Sequence, residues 1–100
     1  MYANLSARVK KGTKIEFLQN GHLRFINKNG NTQEGLVVNG KREGIWIFSK
    51  FNNNLQRIEH CTFLHGRKNG IQVTIKFEEG VVQRIYSLYF VNGRIRSMKN

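Results

Sequence analysis

The sequence predicts an all-β fold, an antiparallel meander of stacked β-hairpins that forms one open sheet. The first observation is that Asn-Gly, the strongest short-range signal for a hairpin turn, recurs at 20–21, 29–30, 39–40, 69–70 and 92–93. The second is that the runs between these turns are rich in Val, Ile, Phe, Tyr and Thr, which favour strands. The third is an internal repeat. No stretch between turns has helical periodicity over ten residues.

The repeat joins residues 40–67 to residues 66–94. With one inserted residue, the two segments match at the following pairs: Gly40/Gly66, Gly44/Gly70, Ile45/Ile71, Lys50/Lys76, Phe51/Phe77, Gln56/Gln83, Arg57/Arg84, Ile58/Ile85 and Phe63/Phe90. Two short strands cannot bury their own apolar face, so neighbouring units must stack. A more divergent copy precedes them, and we expect one domain with units at about 8–40, 40–66 and 66–93.

The turns divide the chain into successive strands. The predicted strands lie near 13–19, 22–27, 34–38, 44–51, 55–64, 70–77, 81–91 and 94–98. Each is bounded by Gly or Asn at a position where a tight turn needs a left-handed backbone. The strands follow one another directly, which favours a meander over a fold with crossover connections.

Alternation within the clearest strand predicts which side chains share a face. In 71–77, the set Ile71, Val73, Ile75 and Phe77 is expected to point inward, and the set Gln72, Thr74 and Lys76 outward. The repeat carries this register to the strand 45–51. It predicts Ile45, Ile47 and Phe51 inward, and Trp46, Phe48 and Lys50 outward.

The excess of basic residues is informative about binding partners rather than about the fold. Seventeen Lys and Arg face six Glu and no Asp, which gives a net charge of +11. Such a surface favours nucleic acid, an anionic membrane surface or an acidic protein face, while solubility alone is the plain alternative. No apolar run approaches the roughly 20 residues of a membrane-spanning helix. The start lacks a signal-peptide pattern, so we expect a cytoplasmic protein of a bacterium, or of its host cell if a phage encodes it.

One segment resembles a known family. Residues 39–48 read NGKREGIWIF, which is similar to the N-G-K-x-x-G-x-W-x-x-[YF] core of MORN-repeat variants, some of which are labelled antitoxin-like. The copy at 65–72 has Gln72 where the family has Trp, and the spacing of the units is longer than usual. The resemblance covers about half of the chain. It implies an open sheet of hairpin repeats that binds proteins or lipids and catalyses no reaction.

The sequence offers no catalytic or metal-binding constellation. His60 and Cys61 are neighbours on a strand and therefore point to opposite faces. Cys61 aligns with Leu88 in the repeat, which predicts a small core residue rather than a nucleophile. The histidines do not have the spacing of a zinc site, and the lack of Asp disfavours a magnesium site. We expect a protein that is not an enzyme and has no cofactor.

Basic residues recur at equivalent turns and predict a basic stripe along one edge of the sheet. The candidate binding residues are Lys10, Lys11, Lys41, Arg42, Arg67, Lys68, Arg94 and Arg96, joined by Trp46, Phe48 and Lys50 on the outward face. Arg57 and Arg84 would form a second, shorter ladder. A stripe of this kind can follow a phosphate backbone, with bases stacking on Trp46.

Two functions fit these residues. The leading hypothesis is a non-enzymatic module that binds nucleic acid through the basic stripe. The alternative is a small inhibitor or antitoxin-like factor, for example a phage-encoded inhibitor of a host defence or toxin protein, whose basic and aromatic face covers an acidic protein surface. The stripe also has a plain interpretation as charge that keeps sheet edges soluble. For Trp46 and Phe48, the alternative is that they pack beneath the N-terminal segment or a partner subunit. Open edges further predict a homodimer formed by edge pairing.

Overall fold

A computed structural model describes residues 12–100 of the chain. Within that range, nine strands and one short 3₁₀ turn, Gln19–Gly21, account for the regular structure. The strands are β1 (Lys14–Phe17), β2 (His22–Ile26), β3 (Thr32–Val38), β4 (Lys41–Asn52), β5 (Leu55–Leu64), β6 (Arg67–Lys68), β7 (Gly70–Glu78), β8 (Val81–Val91) and β9 (Arg94–Lys99). Residues 8–11, including Lys10 and Lys11, lie outside the described residues.

All described strands belong to one antiparallel sheet, which confirms the predicted all-β meander. Their order is β1-β2-β3-β4-β5-β7-β8-β9, and the two-residue β6 pairs with β5 beside this path. Apart from β6, which lies between β5 and β7 in the chain, neighbours in the sheet are neighbours in the chain, and short turns connect them. The short strand β6 was not predicted from the sequence, and β4 begins three residues earlier than the pattern at 44–51 indicated.

Three hairpin turns lie at the same end of the strands and share one conformation. Asn39, His65 and Asn92 each adopt a positive φ of 50° to 52° and are followed by a glycine with a positive φ. Hydrogen bonds join successive turns at the offset of the internal repeat. The amide of Gly66 donates to the carbonyl of Arg42 at 2.9 Å, and the amide of Gly93 donates to the carbonyl of Lys68 at 2.7 Å.

The pairing register assigns every strand residue to one of two faces, because directly opposed residues share a face. The face that contains Trp46 and its partner Cys61 is termed the core face. It holds the hydrophobic core, which consists of Leu23, Phe25, Val37, Trp46, Cys61 and Phe63. The other side, which contains Ile45 and Ile47, is termed the open face.

The predicted assignment of faces is wrong, although the residues are grouped correctly. Trp46 and Thr74 are fully buried, whereas Ile45 and Ile71 are 62% and 57% exposed. Phe48 also lies on the core face and packs against the core. The period of two shows which side chains lie together, but not which side of a single sheet is covered. The Ile- and Val-rich set resembles a core, yet it lies on the open face.

The Trp46 ring packs directly on the backbone of β3. A Cβ atom added at Gly35 would lie 2.4 Å from the ring, so only glycine leaves room for it. The indole Nε1 donates a hydrogen bond to the carbonyl of Leu36 at 2.9 Å. Phe25 stacks on the ring at a centroid distance of 6.2 Å, and Phe63 meets it edge-on at 6.4 Å. Gly35 and Trp46 therefore form one packing unit between two strands.

We expect Gly35→Ala to lower the free energy of unfolding by about 1–3 kcal/mol, because the added methyl group overpacks the site and displaces the Trp46 ring. Urea unfolding followed by circular dichroism measures this change. In a Trp46→Leu background the smaller side chain leaves room, and Gly35→Ala should have much less effect. An equal effect in both backgrounds would contradict the packing interpretation.

Cys61 supplies a second test of the core. Its side chain is fully buried, which confirms the prediction of a small core residue, and burial raises the pKa of its thiol. A raised pKa lowers the thiolate fraction near neutral pH, and the thiolate is the reactive form. We expect the native protein to react very slowly with a thiol reagent at pH 8, and the urea-unfolded protein to react at once. Rapid labelling of the native protein would show that the core face opens.

Candidate functional site

The structure gives different environments to the two members of each dibasic turn. Lys41 and Arg67 are exposed, whereas Arg42 and Lys68 are partly buried. The guanidinium of Arg42 lies over three aromatic rings of the core face, with its Cζ 5.0 Å from the Trp46 centroid. It also donates a hydrogen bond to Gln33. This cation therefore stabilises the core.

Lys68 repeats this arrangement one unit later. Its Nζ lies 5.0 Å from the centroid of Phe90, as Arg42 lies 5.4 Å from the centroid of Phe63. Lys68 also donates a hydrogen bond to Gln72 at 2.9 Å. Arg42 and Lys68, two of the predicted binding residues, therefore have partners within the protein. The internal repeat places both these cations and the rings that they cover.

The predicted aromatic contribution to binding needs correction as well. Trp46 is buried within the core, and Phe48 is partly buried against it. Both rings lie beside Arg42, at 5.0 Å and 5.7 Å from its Cζ. A buried ring offers no face for a base to stack on, so the sheet in this form does not present Trp46 to a ligand.

The remaining basic residues at these turns form an exposed row, termed the edge row. Lys41, Arg67 and Arg94 occupy equivalent places at the starts of β4, β6 and β9. Each step along the row crosses two strands, so successive cations are about 10 Å apart. Arg96, also exposed, lies farther along β9.

A denser set of cations crosses the core face near the other end of the strands. Lys50 pairs with Arg57, Arg57 with Lys76, and Lys76 with Arg84, each as a directly opposed residue. These four residues, termed the cation row, occupy the adjacent strands β4, β5, β7 and β8. Strand spacing places neighbouring members about 5 Å apart at the backbone. Four cations are therefore in direct cross-strand register.

One carboxylate partly balances the cation row. Glu59, which is largely buried, forms an ion pair with Arg57, whose Nε lies 2.9 Å from Oε2, and its Oε1 lies 3.8 Å from the Nζ of Lys50. In residues 12–100, Lys76 and Arg84 form no ion pair. They lie instead 5.6 Å and 4.7 Å from the ring centroid of Tyr86. The row keeps a formal excess of three positive charges.

Such a row favours an anionic partner. Like charges placed directly opposite each other across strands destabilise a sheet, and an anion removes that repulsion. The sequence indicated the equivalences Lys50/Lys76 and Arg57/Arg84, but it placed Lys50 with the aromatic pair and the two arginines in a separate ladder. The pairing register joins them. The two-residue turn at 53–54 sets Lys50 opposite Arg57. This pairing can be found in the sequence only by counting the hairpin register outward from that turn.

Other kinds of site find no support in the part of the chain that the structure describes. In residues 12–100, no group of three or more His, Cys, Asp or Glu side chains is arranged to hold a metal ion. Among the same residues, no helix has the length and apolar character to cross a membrane. His60 and Cys61 lie on opposite faces, since their partners are Ile47 and Trp46.

The comparisons with known proteins return no match: no family model, no curated protein and no solved structure is similar to this chain. The resemblance to MORN-repeat variants therefore stays a prediction.

The dibasic pair at 41–42 offers an internally controlled test. We expect Arg42→Ala to lower the free energy of unfolding by about 1–2 kcal/mol, because it removes a cation held over desolvated rings. Lys41→Ala, next in the chain and exposed, should change it by no more than about 0.5 kcal/mol. Thermal and urea unfolding measure both values. Similar effects of the two substitutions would contradict the conclusion that Arg42 stabilises the core whereas Lys41 is a surface cation.

Proposed function

We propose that this protein is a non-enzymatic binding module for nucleic acid, and that it holds the phosphate backbone on the cation row. The observation that supports the proposal is the register of Lys50, Arg57, Lys76 and Arg84 across four adjacent strands. Neutralising several phosphates with Lys and Arg releases condensed counterions, which is the main source of sequence-independent affinity. The net charge of +11 adds attraction at long range.

The surroundings of the row favour contacts to the backbone rather than to the bases. Tyr86 lies on the same face, but two cations of the row already lie within cation–π distance of its ring. On the strands that carry the row, the exposed rings of Phe51 and Tyr89 belong to the open face. Base stacking and base-edge contacts supply sequence preference. The proposed interface therefore binds with little preference for sequence.

The edge row lies at the far end of the same strands. Seven residues of β5 separate Arg57 from Leu64, the partner of Arg67, which corresponds to about 23 Å. The two sets of cations are thus separate surfaces, and a short oligonucleotide on one set need not reach the other. This separation allows the two sets to be compared within one protein.

The affinity for nucleic acid should fall steeply with salt. For about four phosphate contacts, we expect the affinity to fall about 50-fold for a single strand and about 150-fold for a duplex between 50 and 200 mM salt. Fluorescence anisotropy with labelled oligonucleotides of different sequence measures both the slope and the sequence preference. A salt-independent affinity would contradict binding through phosphates.

A pair of substitutions tests the location of the interface. Lys76→Gln with Arg84→Gln leaves the ion pairs of Glu59 intact, and we expect it to lower the salt slope by about two. Lys41→Gln with Arg67→Gln removes the same charge from the edge row and serves as the matched control. Equal losses in the two variants would mean that the net charge, and not the cation row, determines binding. A larger loss in the control would assign the interface to the edge row.

The alternative, a protein-binding inhibitor, would use the same cations against an acidic protein surface. A pull-down with the tagged protein, with and without nuclease, distinguishes the two. Bound nucleic acid that disappears with nuclease supports the proposal, whereas a single protein that remains bound after nuclease supports the inhibitor.

A further inference from the structure

The open face carries exposed apolar side chains where a solvated sheet face would carry polar ones. An antiparallel sheet with one side in water alternates apolar residues, which face inward, with polar residues, which face outward. The register joins the open face across β5, where Ile47 opposes His60 and His60 opposes Val73. Its large side chains on β4, β7 and β8, termed the open patch, are exposed by 36% to 62%: Ile45, Ile47, Ile71, Ile85 and Tyr89. Surfaces of this kind mark sites of interaction.

The edge row lies on the same face as the open patch, beyond one end of it. Arg94 opposes Val91, which lies two residues, or about 7 Å, beyond Tyr89 on the same side of β8. Arg67 occupies the equivalent place on β6, opposite Leu64. The apolar side chains are therefore bordered by cations at this end of the strands.

Lys99 borders the open patch on a second side. It opposes Ser87, which in turn opposes Val73. Glu43, a carboxylate on the same face, already accepts a hydrogen bond from the amide of His65 at 2.7 Å. A partner with carboxylates at these two sides would complement the charge of the border.

A shallow cleft joins the open patch to Lys99. Its volume is about 200 Å³, and it is lined by Ile71, Ser87, Leu88, Tyr89, Ser97 and Lys99. Apolar side chains lie here beside one ammonium group and two hydroxyl groups. Such a cleft receives a carboxylate that stands next to an apolar side chain. The partner therefore presents both kinds of group side by side.

We propose that the open patch docks an amphipathic helix of another protein, with its apolar side on the patch and its carboxylates toward the edge row and Lys99. A helix suits an apolar sheet face because it pairs its own backbone N–H and C=O groups. An extended segment laid flat on the same side chains would leave those groups unpaired. About 14 residues of helix, or 21 Å, match the roughly 20 Å from Ile45 to Phe51 along β4.

The same surroundings disfavour two other occupants. Face-to-face packing of a second copy would surround one contact with the edge rows and Lys99 of both copies, and like charges repel. A lipid bilayer would bury the imidazole of His60 and the hydroxyl of Ser87 in hydrocarbon, which offers no hydrogen-bond partner. A helix can place polar side chains opposite these groups.

The proposed contact is separate from the cation row, which lies on the core face. Apolar burial supplies most of its affinity, while the border charges orient the helix and speed association. One helix covers a small area, so we expect a reversible complex with a dissociation constant in the micromolar range.

Fluorescence anisotropy of labelled peptides with nuclease-treated protein tests the proposal. The probe is a helix of about 18 residues with Leu along one side and Glu on both flanks. A second peptide has the same composition in scrambled order, and a third has Lys in place of Glu. We expect the probe to bind at least about tenfold more tightly than the scrambled peptide, and the Lys peptide to bind least. Equal binding of probe and scrambled peptide would overturn the proposal, because charge alone would explain it.

Matched substitutions that leave the charge unchanged locate the contact. Ile71→Ser and Ile45→Ser should each raise the dissociation constant of the probe at least about fivefold. Ile95→Ser is the control, because Ile95 is exposed by 58% but pairs with Phe90 on the core-face side of β9. Circular dichroism and the fluorescence of the single Trp46 confirm that each variant remains folded. An equal effect of the control, or no effect of either patch variant, would place the peptide elsewhere and overturn the proposal.

The charge variants of the two cation sets separate this proposal from the proposed function. Lys41→Gln with Arg67→Gln should weaken binding of the probe and spare oligonucleotide binding. Lys76→Gln with Arg84→Gln should do the reverse. A cation-row variant that weakens the probe more than the edge-row variant does would place the peptide on the core face, against the proposal. Oligonucleotide binding can fail in every variant without affecting the result for the probe.

Two further measurements report on the other occupants. Sedimentation velocity of the protein alone detects a second copy, and flotation with vesicles that contain phosphatidylserine detects a lipid surface. We expect Ile71→Ser to leave both results unchanged. Self-association or vesicle binding that Ile71→Ser abolishes would assign the open patch to that occupant and overturn the proposal.

Discussion

The packing of Trp46 on Gly35 determines which side of the sheet becomes the core. A single antiparallel sheet has two faces, and nothing in its hydrogen bonding prefers one. Here the only tryptophan lies against bare backbone on β3, and its indole N–H is satisfied by the carbonyl of Leu36. Phe25 of β2 and Phe63 and Cys61 of β5 close around it. Once this face is buried, the alternation of side chains assigns every other residue on these strands.

The internal repeat duplicates structural and surface cations together. Arg42 and Lys68 lie at equivalent positions and cover equivalent rings, Phe63 and Phe90. The residue before each of them, Lys41 or Arg67, points away and stays exposed. A dibasic turn is thus one external cation followed in the chain by an internal one. This division explains why a count of Lys and Arg at the turns overstates the charge that a partner can reach.

The cation row and the large exposed Ile side chains of β4, β7 and β8 lie on different faces of the sheet. Near one end of the strands, the core face passes from aromatic residues to the cation row, where a single carboxylate, Glu59, pairs with two of the four cations. The open face behind these strands carries exposed apolar side chains, and Lys99 opposes Ser87 at their border.

The sequence by itself determined the strands other than β6, the meander and the grouping of side chains. Asn-Gly turns and β-branched runs are local signals, and local hydrogen bonding and sterics decide both. The burial of Cys61 also followed, because the repeat aligned it with Leu88. Only the tertiary structure decided which of the two sets of side chains is buried. Ile45 and Ile71 are apolar enough for a core, yet the aromatic residues, stacked across strands, form the core instead. The cation row likewise needed the tertiary structure, because Lys50, Arg57, Lys76 and Arg84 lie on four strands. Their alignment depends on three pairing registers, and a shift of one residue in any of them would move part of the row to the opposite face.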